Sequence, residues 1–110
     1  MQLNIEKTDF LLVTVQENRL DAAFAPQFKK QVKHFIDEGE NKIVLDFSQL
    51  NFMDSSSLGM LVELLKGIGT QGQLVIMGAR DVVANLFKLT RMDTIFKMVD
   101  NLDEAKALLK

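Results

Sequence analysis

One segment, residues 42–66, sets the architecture of the chain: KIVLDFSQLNFMDSSSLGMLVELLK. Near its start, the apolar run 43–45 is typical of a buried strand. Towards its end, apolar residues recur at helical spacing and continue just past the segment: Leu58, Leu61, Val62, Leu65 and Ile68. Between the two lies the run 54–57, whose small oxygen-bearing side chains accept hydrogen bonds from the free N–H groups of a first helical turn. The segment therefore predicts a strand, a loop and a capped helix.

The predicted helix has two faces when its residues are placed at 100° intervals. The apolar residues fill one arc, and Ser56, Met60 and Glu63 fall on the opposite arc together with Gly67. We expect Met60 to be exposed one turn after Ser56, so that the two form a contact surface at the start of the helix. The pattern leaves a second interpretation open, in which the serines only cap the helix.

Several motifs of this sequence resemble the STAS family of bacterial anti-sigma factor antagonists. The run DSSSLG at 54–59, preceded by LDFS at 45–48 and NFM at 51–53, is similar to the family's phosphorylation motif, commonly Asp-Ser-Ser-Gly-Leu-Gly. RLDA at 19–22 and GQLVI at 72–76 resemble two further family segments. The resemblance covers nearly the whole chain. The sequence departs from the family pattern at Ser57 and at Asn18, which stand where the family usually has glycine.

The remaining apolar patterns predict an α/β domain that spans residues 1–110. Strands are expected at 3–5, 10–15, 43–45, 74–77 and 94–99, and helices from about residues 25, 55, 81 and 101, while 20–23 is ambiguous between strand and loop. Alternating strands and helices favour parallel pairing. The resemblance implies a single STAS-like domain, with a mixed sheet of four to five strands packed with about four helices.

The composition excludes several classes of function. The net charge of −2 argues against a nucleic-acid partner. The absence of cysteine excludes disulfides and thiol catalysis. No apolar run approaches the roughly 18 residues that a membrane span needs. We therefore expect no nucleic-acid partner, no membrane and a cytoplasmic location.

The sequence offers little for catalysis. The one histidine, His34, lies among lysines and far along the chain from the serines. No Gly-x-Ser-x-Gly elbow and no Walker-type loop is present. Asp46 and Asp54 flank the loop, and two carboxylates without a third ligand are weak evidence for a metal. We expect no catalytic residue, no metal and no cofactor, although a small hydrolase that uses Ser55 or Ser56 stays an alternative.

The resemblance implies a partner-switching regulator. Unphosphorylated, the chain would bind an anti-sigma factor with serine kinase activity, which would release the sigma factor. Phosphorylation at Ser56 would end that complex, a phosphatase would reset the chain, and ATP would bind the kinase. The alternative is a STAS interaction or scaffold subunit, for instance one associated with a transporter, without a phosphorylation cycle. The residues expected to contact the partner are Asp21, Asp54, Ser55, Ser56, Ser57, Met60 and Glu63.

The choice of Ser56 among the three serines rests on the helix geometry and on the family motif. Ser55 is expected at or just before the cap, where its oxygen would bind backbone N–H groups. Ser57 falls at the edge of the buried arc, so a kinase should reach it less well. The family motif also places its acceptor at the second serine after the aspartate.

Overall fold

The computed structural model describes residues 2–109. Met1 and Lys110, the two ends of the expected domain, lie outside the described residues. Four α-helices, seven strands and a short 3-10 helix at Met92–Thr94 follow one another along that part of the chain. The strands and α-helices are β1 (Leu3–Lys7), β2 (Leu11–Val15), β3 (Arg19–Leu20), α1 (Ala25–Asp37), β4 (Lys42–Asp46), β5 (Phe52–Met53), α2 (Ser55–Ile68), β6 (Gln73–Met77), α3 (Asp81–Leu89), β7 (Lys97–Val99) and α4 (Leu102–Leu108).

A five-stranded sheet in the order β1-β2-β4-β6-β7 forms the centre of the fold. β1 runs antiparallel to β2, and the three remaining neighbouring pairs are parallel. Parallel neighbours need long crossover connections, which α1, α2 and α3 supply. The predicted mixed sheet with four helices is therefore confirmed. None of the helices within residues 2–109 combines the length and the apolar character needed to cross a membrane.

Apolar side chains cover both faces of the sheet. Along β4, Ile43 and Leu45 point to the larger cluster under α1, α2 and α3, whereas Val44 points to a smaller cluster on the other face. There α4 contributes Ala105 and Leu109. A strand that is buried on both faces reads as a continuous apolar run rather than an alternating one, which is why the pattern at 43–45 predicted it.

A second, two-stranded sheet lies beside the first. β3 and β5 are parallel, with Arg19 opposite Phe52 and Leu20 opposite Met53. The backbone oxygen of Asn18 accepts hydrogen bonds from Asn51 at 2.7 Å and from Phe52 at 3.2 Å, which extends the pairing. The sequence left 20–23 ambiguous and predicted no strand in the loop after β4, because two residues carry too little periodicity to identify a strand.

Gly72 is required by a close approach of two backbone segments. Gln73 donates a hydrogen bond to the backbone oxygen of Asn41 at 2.7 Å, just before β4 and β6 begin to pair. A Cβ on Gly72 would lie 2.4 Å from that oxygen and 2.2 Å from the Cγ2 of Ile68. Any side chain at this position would therefore displace the start of β6.

We expect Leu61→Ala to lower the free energy of unfolding by about 2–5 kcal/mol, because a fully buried side chain is lost and a cavity remains. Leu89→Ala is the matched control. Leu89 is 84% exposed, so the same change should alter the stability by less than about 0.5 kcal/mol. Urea unfolding followed by circular dichroism measures both. Equal losses from the two variants would contradict the assignment of the buried face of α2.

Candidate functional site

The three serines lie at the start of α2, just beyond the carboxyl end of β4. In parallel sheets this edge is where ligand and partner sites usually form, because the loops that follow the strands meet there. The loop between β4 and α2 is held at its beginning by two hydrogen bonds. Ser48 donates its N–H to Asp46 Oδ1 at 2.9 Å, and the Arg80 guanidinium donates to the Ser48 carbonyl at 2.9 Å.

Asp54, rather than Ser55, caps α2. Its backbone is extended, with φ −111° and ψ 174°, and its Oδ1 accepts the N–H of Ser57 at 3.0 Å. Its other carboxylate oxygen accepts the N–H of Ala22 at 3.0 Å. The expectation that Ser55 would occupy the cap is therefore wrong: Ser55 is the first helical residue, and it is exposed. An ionised carboxylate holds both donors, which the hydroxyl of a serine could not reach at once.

The small sheet of β3 and β5 brings Asp21 to this helix start, because Leu20 pairs with Met53 immediately before Asp54. Asp21 Oδ1 accepts the N–H groups of Ala23 and Phe24 at 3.1 and 3.3 Å, and its other oxygen lies 3.1 Å from Nε of Arg19. The Asp21 carboxylate is therefore occupied by the turn that leads into α1. Its negative charge is paired with Arg19 and is not free to bind a partner's cation.

The serines differ sharply in exposure. Ser55 and Ser56 are exposed, whereas Ser57 is 0% exposed. The Ser57 hydroxyl lies 2.8 Å from the Leu20 carbonyl and 3.0 Å from Asp54 Oδ1, and it shares its one proton between these two acceptors. The expectation that Ser57 contacts a partner is wrong for its side chain, which is sealed between α2 and β3. A glycine at this position would lack that hydrogen bond.

Met60 is buried, at 6% exposure, so the prediction of an exposed methionine is wrong. α1 packs along the side of α2 and covers part of the arc that the helical pattern assigned to solvent. Leu64 is buried on the same side, while Val62 and Leu65 are only half-buried. The exposed stripe of α2 is consequently displaced from the predicted one, away from Met60. Its exposed residues are Ser55, Ser56, Gly59, Glu63, Lys66 and Gly67.

A groove of about 440 Å³ runs between α1 and α2 at the level of Ser56. Lys29 and Glu63 form an ion pair beside it. The hydrogen bond and the positive charge of Lys29 hold the pKa of the Glu63 carboxyl below its ordinary value. The groove is lined by Ala22, Ala25, Pro26, Lys29, Ser56, Gly59, Met60 and Glu63.

The contribution of α1 to this groove was not predicted. In the sequence, Lys29 lies away from the apolar stripe of its helix together with Lys30 and Lys33, a pattern typical of a solvated basic face. Nothing in the local pattern of α1 indicates that its first two turns lie beside α2. Pro26 at the helix start was the one available signal, and it indicates only where α1 begins.

The pKa of Asp54 is lowered from its ordinary value of 3.8. Desolvation raises it, but hydrogen bonds donated by the backbone of Ser57 and Ala22, the Ser57 hydroxyl and the backbone of Ser56 outweigh that effect. A carboxyl whose pKa is lower in the folded state stabilises the fold above the unfolded value, and this contribution is lost as the pH falls through the folded pKa.

Metal-binding and catalytic groups do not assemble around the serines. Within residues 2–109, no cluster of three or more potential metal-ligating side chains is present. Asp46 and Asp54, the two carboxylates that flank the loop, each accept backbone N–H groups. His34 lies on α1, where it is 3.3 Å from Glu38.

Comparison with known proteins finds one family over nearly the whole chain. Residues 2–105 match the STAS domain. A Thermotoga maritima protein, provisionally named an anti-sigma factor antagonist, is 33% identical over 99 residues, which make up 88% of this chain and 88% of that protein. A crystal structure of a protein from the same organism, provisionally given the same name, has a TM-score of 0.86 at 32% identity and covers 97% of this chain and 93% of its own.

A more distant structure shares the fold. The Bacillus cell fate determinant SpoIIAA, solved in its phosphorylated form, has a TM-score of 0.75 at 18% identity. The alignment covers 99% of this chain and 100% of that one. At this identity the similarity concerns the arrangement of the strands and helices, which is the arrangement described above.

We expect Asp54→Ala to lower the free energy of unfolding by about 0.5–2 kcal/mol at pH 7, because the helix cap is lost. The difference should shrink as the pH falls below the ordinary carboxyl pKa of 3.8 and through the lowered pKa of the folded state, because the parent carboxyl then loses its charge as well. Urea unfolding between pH 3 and pH 7 measures this. Asp9→Ala, in the exposed turn between β1 and β2, is the control and should change the stability by less than about 0.5 kcal/mol. A pH-independent loss for Asp54→Ala would contradict a role for the charge.

Proposed function

The chain belongs to the STAS domain family, a family of regulators rather than enzymes, and we propose that it is an anti-sigma factor antagonist that is switched by phosphorylation of Ser56. In its unphosphorylated state it binds an anti-sigma factor that has serine kinase activity, and the sigma factor is released. Phosphorylation dissociates this complex, and a phosphatase restores the unphosphorylated state. On this proposal the protein works in the cytoplasm with its partners.

The observation that carries the proposal is the exposure of Ser56 on the first turn of a capped helix. Ser56 is exposed beside an open groove, whereas the hydroxyl of Ser57 is buried and hydrogen-bonded to the Leu20 carbonyl. Ser55 is also exposed, but it does not line the groove. Ser56 is therefore the hydroxyl to which a kinase docked on the groove has direct access.

The chemical step belongs to the kinase. The Oγ of Ser56 forms a bond to the γ-phosphorus of ATP, the bond to the bridging oxygen breaks, and ADP leaves. The hydroxyl proton passes to a base on the kinase. This chain contributes the position of the acceptor, which the cap of Asp54 and the packing of α2 hold in place.

Phosphate at Ser56 adds about −1.5 to −2 charges at neutral pH. The start of a helix favours an anion, so the fold should tolerate the phosphate. Two nearby cations already have acidic partners, because Arg19 pairs with Asp21 and Lys29 pairs with Glu63, so neither is a free counter-charge for the phosphate. The Asp54 carboxylate adds a further negative charge at the same helix start.

This excess charge explains why the partner would be released. A partner that covers Ser56 must remove water from the phosphate, and an unpaired buried charge costs several kcal/mol. In the unphosphorylated protein the same surface carries paired charges and two neutral serines. The proposed contacts are Ser55, Ser56, Asp21, Asp54 and Glu63 at the rim, with Met60 as part of the groove wall.

We expect Ser56→Asp to weaken binding to the kinase by tenfold or more while leaving the unfolding transition within about 0.5 kcal/mol of the parent. Ser56→Ala should bind as the parent does and accept no phosphate. Ser55→Asp is the matched comparison, because it introduces the same charge at a proposed contact that does not line the groove, and it should weaken binding less than Ser56→Asp does. Titration calorimetry and thermal melts measure both effects. Equal losses of binding from Ser55→Asp and Ser56→Asp would contradict the assignment to Ser56.

Site mapping by mass spectrometry after incubation with the kinase and ATP tests the acceptor directly. We expect the phosphate on Ser56. Phosphate found mainly on Ser55 would overturn the assignment, and phosphate on Ser57 would require the helix start to open. Binding of a partner without any phosphate transfer would favour an interaction or scaffold subunit over a phosphorylation switch.

A further inference from the structure

Gly59 lies in the interior of α2, where the fold has no visible need for glycine. Glycine is among the least favourable residues in a helix, since its backbone loses the most conformational freedom on folding. Gly59 does not have a positive φ angle. A Cβ built at this position would meet nothing within 4 Å, so α1 and the sheet do not approach closely enough to exclude a side chain.

At other positions in this protein the fold explains why the residue is glycine. At Gly72 a Cβ would clash with the backbone oxygen of Asn41. Three further glycines adopt positive φ angles, which other residues rarely adopt: Gly39, Gly69 and Gly78. Gly67 is the second glycine within α2 and lies in its last turn, where a Cβ would make an ordinary 3.8 Å contact with Ile36. An alanine would therefore fit at both helical positions.

The space above Gly59 belongs to the groove beside Ser56. The two residues are three positions apart on α2 and therefore neighbours on one face of the helix, about 5–6 Å apart. A kinase that phosphorylates Ser56 must bring the γ-phosphorus of its ATP to the Oγ, and its surface must therefore cover the residues around Ser56. Gly59 is exposed and lines the same groove as Ser56, so it belongs to the surface that such a kinase would cover.

We propose that Gly59 is kept without a side chain so that a backbone segment of the kinase can lie in the groove against α2. This inference rests on the proposed function and names how the partner fits the same site. The segment would place an uncharged side chain between Pro26 and Met60, because the ion pair of Lys29 and Glu63 leaves the groove without net charge.

The test uses Gly59→Ala, with Gly67→Ala as the matched control in the same helix. Both substitutions should raise the Tm by about 2–6 °C, because alanine favours the helix and neither methyl group meets a close contact. Only Gly59→Ala should weaken binding to the purified serine-kinase anti-sigma factor, by about tenfold or more, because its methyl group occupies space that the partner needs. Binding is measured without ATP, so that no phosphate is transferred.

A Gly59→Ala variant that is more stable and yet binds as tightly as the parent would overturn the inference. Destabilisation by Gly59→Ala would also overturn it, because the fold itself would then require the glycine. In either case, a loss of binding by Ser56→Asp would leave the proposed function standing. If the unmodified parent chain neither binds the kinase nor accepts phosphate, the proposed function fails and this inference fails with it.

Discussion

The carboxylate of Asp54 holds together two segments that are distant in the chain. One oxygen accepts the N–H of Ser57 and caps α2, and the other accepts the N–H of Ala22 in the turn that leads to α1. The start of α2 and the approach to α1 are thus set by one side chain. The side-by-side arrangement of the two helices, and the groove between them, begin at this contact.

The buried hydroxyl of Ser57 reinforces the same junction by donating to the carbonyl of Leu20. The STAS motif usually has glycine at this position. A glycine would leave the space of the hydroxyl empty and would not donate its hydrogen bond. Asn18 is the second departure from the family pattern. It also replaces a usual glycine, yet its φ angle is not positive, and its carbonyl accepts two N–H groups. Neither departure disturbs the site, because each residue adopts a backbone conformation open to any amino acid.

The charges around Ser56 are arranged in pairs, and this arrangement makes the site sensitive to one added phosphate. Arg19 pairs with Asp21, and Lys29 pairs with Glu63, so the surface of the unphosphorylated protein presents little unpaired charge beyond the Asp54 carboxylate. A phosphate on Ser56 would find no unpaired cation among these residues. The fold need not change for the surface to change, which is the form of switch that depends on local electrostatics.

The sequence alone determined the order of the main strands and helices, and it identified the serine cluster at a helix start. These features depend on local periodicity and on the hydrogen-bonding preferences of small polar side chains, which are visible within a few residues. It also predicted a final helix from about residue 101, and in the structure Asn101 caps that helix by accepting the N–H of Glu104 at 3.0 Å. Only the tertiary structure decided that Met60 is buried, that Ser57 is sealed and that Lys29 faces Glu63. Each of these results from α1 or β3 packing against α2, and a contact between segments more than thirty residues apart leaves no periodic trace in either segment.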